Sequence, residues 1–198
     1  MIESRAEEKN IIIGISGASG SIYGVRIIEK LKTLPNVKTH LVITKSAHIT
    51  LDLETDYKLR EIIDLADFHY NINDIASLIA SGSFITNGMI IAPCSVKTLA
   101  AIATGNCTNL LTRAADVILK ERRSLVLMLR ETPFNLIHID NMQKATLAGA
   151  IIMPPVPAFY TKPQSIDDII NYSVARALDL LSIHDGGIKR WVGVDSNK

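Results

Sequence analysis

The chain has 198 residues, 47% hydrophobic and 5% aromatic, with 21 lysines and arginines against 20 aspartates and glutamates. That length fits one domain with a full core, and a net charge of +1 excludes the broad basic surface of a nucleic-acid binder. A mean hydropathy of +0.22, with no run near the roughly 20 apolar residues of a membrane span, assigns the excess apolar surface to contacts between subunits. The first ten residues are charged and do not read as a signal peptide. Cys94 and Cys107 make no disulfide framework, so a reducing cytoplasm is expected.

Five strand-like runs, residues 10–16, 37–44, 89–93, 124–130 and 149–153, alternate with helical patterns at 21–34, 46–52, 96–103, 112–121 and 135–146. A further helical pattern, 166–181, follows the last strand. Such alternation implies βαβ units and therefore an α/β fold, a parallel sheet with helices on both faces. Residues 54–87 are the one long irregular stretch, expected to hold a short helix at 72–80 and a turn at Ser81-Gly82-Ser83. The loop at 154–165 is proline-rich yet apolar, which implies that it lies against a ligand or a neighbouring subunit. The tail from Asp185 is polar apart from Trp191.

The first strand runs directly into a helix through Gly14-Ile15-Ser16-Gly17-Ala18-Ser19-Gly20. Glycines and small hydroxyl residues let backbone N–H groups approach a ligand, and a helix amino end favours negative charge. The spacing is GxxGxxG and not the dinucleotide fingerprint. The second strand ends Ile43-Thr44-Lys45-Ser46, without the acidic residue that holds a ribose diol. NAD is thereby disfavoured and a mononucleotide such as FMN stays open, beside the plainer reading of a tight structural turn. The third strand repeats the design as Ala92-Pro93-Cys94-Ser95-Val96-Lys97-Thr98. Pro93 stops the strand, Ser95 caps the next helix, and the hydroxyls and N–H groups of 95–98 are expected to face outward. Cys94 at a helix amino end is either an activated thiolate or, as the commoner case, a small buried thiol.

A basic run follows, from Arg113 through Lys120, Glu121, Arg122 and Arg123 into a strand with five consecutive apolar residues that ends on Arg130-Glu131-Thr132-Pro133. A strand apolar on both faces is buried on both faces. Arg130 at its carboxyl end therefore sits where open α/β sheets bind ligands, and a small anion is the natural ligand. Arg113 and Lys120, seven apart, share a helix face, whereas Arg122 and Arg123 read as a solvated face. The five histidines show no metal-ligand spacing.

Taken together, the Gly14 to Gly20 and Ala92 to Thr98 segments, with Glu54-Thr55-Asp56, Ala80-Ser81-Gly82-Ser83-Phe84, Arg113-Ala114-Ala115-Asp116-Val117, Lys120-Glu121-Arg122-Arg123, Arg130-Glu131-Thr132-Pro133 and Pro157-Ala158-Phe159-Tyr160, resemble the flavin prenyltransferase (UbiX-like) family. They occur in family order across residues 11 to 192. The resemblance implies a three-layer, flavodoxin-like or Rossmann-like core at 11–183, a flexible N terminus at 1–10, and a tail at 184–198 that contributes to the site or to subunit contacts. It implies transfer of a dimethylallyl group from dimethylallyl monophosphate to N5 and C6 of reduced FMN, without a metal. The product would serve a UbiD-type decarboxylase, and the assembly would be a homododecamer with sites at subunit interfaces.

The family's FMN contacts carry over to Gly17, Ala18, Ser19, Thr44, Ser95, Val96, Lys97, Thr98 and Arg130. Its allylic-phosphate ligands carry over to Lys120, Tyr160 and Arg176, with Arg113 and Arg130 nearby; Ser19 and Glu54 match the pair that supports proton movement, and Trp191 a tail residue that closes the site. Thr44 departs mildly, because serine is common there. Two rivals use the same turns: an FMN-dependent cysteine decarboxylase, and a flavin carrier without turnover.

Overall fold

The computed structural model describes residues 8–184 and Gly193. Six parallel strands form one sheet in the order β3-β2-β1-β4-β5-β6. They are β1 (Lys9–Ile15), β2 (Val37–Ile43), β3 (Phe68–Tyr70), β4 (Gly88–Cys94), β5 (Leu125–Leu129) and β6 (Ala150–Ile152). Between and after them run α1 (Ser21–Lys32), α2 (Lys45–Glu54), α3 (Leu59–Leu65), α4 (Val96–Ala103), α5 (Leu110–Lys120), α6 (Leu136–Leu147) and α7 (Ile166–Asp179).

The three layers follow from the strand composition. Ile11, Ile13 and Ile15 of β1 point into one core with residues of α1, α2, α3 and α7, while Ile12 points into the other, with α4, α5 and α6. A strand that buries both faces has no use for polar alternation, which is why β1, β4 and β5 are runs of Ile, Leu, Val and Met. α1 lies so close to the sheet that a Cβ on Gly24 would fall 2.4 Å from the Ala92 carbonyl oxygen.

The order 3-2-1-4-5-6 is that of a doubly wound sheet whose connections leave β1 in opposite directions. The switch point lies between β1 and β4, joined in the register Ile13 with Ile90.

The sequence reading has five of the six strands; the structure adds β3 and α3 within the stretch expected to be irregular. Both are short and half-exposed, three and seven residues, so neither carries a full hydrophobic period. The helix expected at 72–80 is absent apart from a 3₁₀ turn at Leu78–Ala80. Asx turns divert the chain instead: Asn71 Oδ1 accepts from Asn73 N (2.9 Å) and Asp74 Oδ1 from Ala76 N (3.2 Å). Ile72 O accepts from Leu110 N (2.8 Å), tying this stretch to the start of α5.

His40 pins β3 to the sheet. Only 2% exposed, it stacks on Phe68 at 4.9 Å and meets the edge of Phe84 at 5.2 Å. Its ring nitrogens bond Tyr70 Oη (2.9 Å) and Asn10 Oδ1 (3.0 Å). Burial lowers its pKa to about 4, partly offset by Asp67, so the ring is neutral at physiological pH.

Candidate functional site

Four turns converge on the carboxyl edge of β1, β2, β4 and β5, and Ser16 joins two of them. This buried side chain donates from Oγ to Pro93 O (2.8 Å) and accepts from Ser95 N (2.8 Å). The β1–α1 turn, with Gly17, Ala18 and Ser19, is thereby fixed against the β4–α4 turn, with Ser95, Val96, Lys97 and Thr98. Thr44 N donates to Ile15 O (3.0 Å), and Arg130 N donates to Cys94 O (3.0 Å). All nine residues matched to flavin contacts therefore lie on one sheet edge. Gly17 is required at the close approach of two turns, because a Cβ there would fall 2.4 Å from Ser46 Cβ.

The hydroxyls of this edge are not all turned outward as expected. Ser95 Oγ accepts from Thr98 N (3.2 Å) and donates to Thr98 Oγ1 (3.1 Å), and Thr98 is buried. Thr44 Oγ1 accepts from Ala47 N (3.2 Å) in the same way. Both cap helices whose first N–H groups need an acceptor. What these turns present to a ligand is chiefly backbone. Cys94 is fully buried and its thiol is pushed up to about 12, which makes it the inert buried thiol and not a nucleophile.

A cavity of about 390 Å³ opens from this edge, lined among others by Ser19, Gly20, Tyr23, Arg130, Glu131, Pro154 and Ile166. Of the apolar loop at 154–165, Pro154 and Pro155 line this cavity, while Val156 and Phe159 are exposed. Tyr23 is a cavity residue that the sequence does not single out, because it reads as an ordinary helix residue. Burial raises the Tyr23 pKa, and the nearby Arg130 guanidinium draws it partly back.

Glu54, 33 and 34 positions along the chain, returns to this place: its Oε2 accepts from Gly20 N (2.7 Å) and Ser21 N (3.2 Å). The carboxylate thus sits on the positive end of α1, one residue from Ser19. Thr50 of α2 reinforces the contact through Ser21 Oγ (2.9 Å).

The residues matched to phosphate ligands are not gathered in one chain. Lys120 ends α5, just before β5 begins, and is therefore at the amino edge of the sheet. The five residues of β5 separate that edge from Arg130 by about 17 Å. Lys120 pairs with Glu121 and rests against Gly82. Arg113 pairs with Asp116 (2.7 Å) and donates to Ala80 O (3.3 Å). Arg176 lies ten residues beyond Ile166 at the cavity, about 15 Å along α7. It pairs with Asp179 (2.7 Å), which also holds His184 (2.8 Å). Tyr160, on the 3₁₀ turn Phe159–Thr161, hydrogen-bonds Tyr172 of α7.

Arg123 is not the solvated residue expected. It donates to Phe84 O (2.8 Å), Thr86 Oγ1 (3.2 Å) and Gly82 O (2.9 Å), clamping the loop before β4. Trp191 lies outside the described residues. Among the described residues no cluster of His, Cys, Asp or Glu is arranged to hold a metal, and no helix is long and apolar enough to cross a membrane.

The sequence matches the Flavoprotein family over residues 2–178. It is 54% identical over 187 residues to the flavin prenyltransferase UbiX of Escherichia coli K12, covering 93% of this chain and 99% of that one. Among solved structures, AnUbiX in complex with FMN and dimethylallyl pyrophosphate superposes with a TM-score of 0.93 at 50% identity, covering 96% of this chain and 100% of the other. A dodecameric FMN-dependent UbiX-like decarboxylase from Escherichia coli O157:H7 superposes with a TM-score of 0.91 at 47% identity, covering 93% and 100%.

Proposed function

The chain belongs to the Flavoprotein family and, within it, to the flavin prenyltransferases, and from that premise we propose that it transfers a dimethylallyl group from dimethylallyl monophosphate to reduced FMN. The observation that carries this reading is the cavity at the carboxyl edge of the sheet lined by Ser19 and Arg130, beside which Glu54 Oε2 accepts from Gly20 N (2.7 Å). The residues present fit a flavin mononucleotide. Backbone-rich turns at Gly17, Ala18 and Ser19, at Thr44, and at Ser95, Val96, Lys97 and Thr98 suit a phosphate and ring edges, and Arg130 supplies a cation. Reduced FMN supplies the electron-rich ring whose N5 and C6 take up the five-carbon unit.

The protein's share is to bind, orient and move a proton. Breaking an allylic C–O bond leaves phosphate charge, which preorganised Lys and Arg donors stabilise. Arg130 is at hand within the chain. Arg113, Lys120, Tyr160 and Arg176 reach that phosphate when supplied across interfaces between copies, which makes the active unit a homo-oligomer, a dodecamer as in the UbiX-like neighbour. Support comes from large apolar side chains left open on α6, Leu136 at 70% and Leu147 at 80% exposure. Glu54 Oε2 is held by two backbone N–H groups, leaving Oε1 to accept the proton lost from the flavin C6 position. Pro154 and Pro155 wall the cavity and exclude water. The product would pass to a UbiD-type decarboxylase, in a cytoplasm where Cys94 and Cys107 stay free thiols.

The test is anaerobic incubation with reduced FMN and dimethylallyl monophosphate, followed by mass spectrometry of the released flavin. A flavin heavier by one five-carbon unit is expected. Unmodified flavin with both the monophosphate and the pyrophosphate, in protein that binds FMN, would move the assignment to the decarboxylase or carrier readings.

A further inference from the structure

A second cavity, of about 470 Å³, lies at the carboxyl edge of β2 and β3 and shares no lining residue with the first. Its volume falls within the roughly 300–1,000 Å³ of small-molecule sites. The polar side is made by Lys45 and His48 from the first turns of α2, His69 and Tyr70 from β3, and Asn73 from the turn that follows. Ile43, Leu59 and Ile63 form an apolar wall. One fixed cation and two imidazoles face this space with no carboxylate among the lining residues. Burial, and after it the neighbouring His48, hold the His69 pKa below its ordinary value.

Its place in the fold narrows the ligand. In a 3-2-1-4-5-6 sheet the carboxyl end of β2 is where the first half-fold holds a nucleoside, with an acidic residue for a free ribose diol or a basic one beside an added phosphate. Here β2 runs into Thr44-Lys45, so the acidic alternative is replaced by a cation. We propose that this cavity is a mononucleotide site, separate from the flavin cradle, with the phosphate on Lys45, His48 and His69 and the base against the apolar wall of Ile43, Leu59 and Ile63, its edge toward Asn73. The proposal does not depend on prenyl transfer.

The test is calorimetric titration of the protein, with and without FMN, using AMP, ribose 5-phosphate and inorganic phosphate as probes. Saturable AMP binding at one site per chain is expected, with FMN retained and ribose 5-phosphate at least tenfold weaker. Lys45→Glu and His69→Leu should each weaken AMP at least tenfold; His69→Gln, a milder change on the exposed edge strand, should do so by a smaller factor while circular dichroism stays unchanged. The proposal is overturned if AMP does not saturate, or if it displaces FMN, which would put it in the flavin cradle. It is equally overturned if the three probes bind alike, or if AMP affinity is unchanged in the folded variants.

Discussion

The two edges of the sheet are built on different plans. At the carboxyl edge, four turns are joined by backbone N–H and carbonyl groups and by the buried Ser16 hydroxyl, so they are fixed to one another within one chain. Toward the amino edge the functional candidates are long side chains, Lys120 and Arg176, each paired with an acidic neighbour on its own helix or just after it. Backbone geometry is enforced by the fold itself. A cluster of flexible cations is not, because like charges repel and each long side chain loses rotamer freedom when held. The difference leads us to propose that the contacts from these turns come from the single chain, whereas the phosphate contacts come from the assembly.

The largest expected effect tests that division. Glu54→Gln and Lys120→Ala should each lower turnover by about 10²–10³-fold while FMN affinity, read by fluorescence quenching, stays within a small factor. Co-assembly of the two inactive chains should restore a measurable share of turnover, because some interfaces then carry an intact Glu54 from one copy and an intact Lys120 from another. Failure of every mixture to recover activity would place both groups within one chain.

The next effect concerns β3. His40 has a folded pKa of about 4, below its unfolded value of 6.5, so the unfolded state takes up the proton first. Its contribution to stability is whole above pH 6.5 and is lost as pH falls toward 4, by an amount on the order of 2–3 kcal/mol. Urea midpoints across that window should fall with pH, and His40→Leu should flatten the slope. Were the variant to keep the full slope, another group would carry the acid sensitivity.

Ser16→Ala sharpens the contrast from the cradle side. It strips a buried carbonyl and a backbone N–H of their partner, at a cost of about 1–3 kcal/mol. A lower melting temperature and weaker FMN binding are expected, without any shift in the KM for the allylic phosphate. The smallest effect is on the exposed helix face: Arg60→Ala breaks the pair with Asp64 at 3.0 Å and should change stability by less than about 0.5 kcal/mol.

Ser95 was legible as a helix cap, because its partner Thr98 lies three positions further on. Ser16 was passed over within the β1–α1 turn: its two partners, Pro93 and Ser95, are 77 and 79 positions away. Glu54 was matched to proton movement through the family, yet nothing local marks it as the cap of a helix that starts 33 residues earlier. Arg123 was read as solvated for the same reason, since its acceptors lie about 40 positions upstream.

Sequence alone determined the parallel sheet and its two covered faces. Continuous Ile, Leu and Val runs bounded by Gly and Pro leave no other way to bury that surface. It likewise determined that small and hydroxyl residues would stand at the carboxyl ends of β1, β2 and β4. Only the tertiary structure decided that a three-residue edge strand would extend the sheet to six, held by the contacts of one buried histidine. Only it decided that Lys120 and Arg130, ten residues apart, would stand at opposite edges. A strand carries its two ends apart, and closeness in sequence says nothing about which edge a side chain serves.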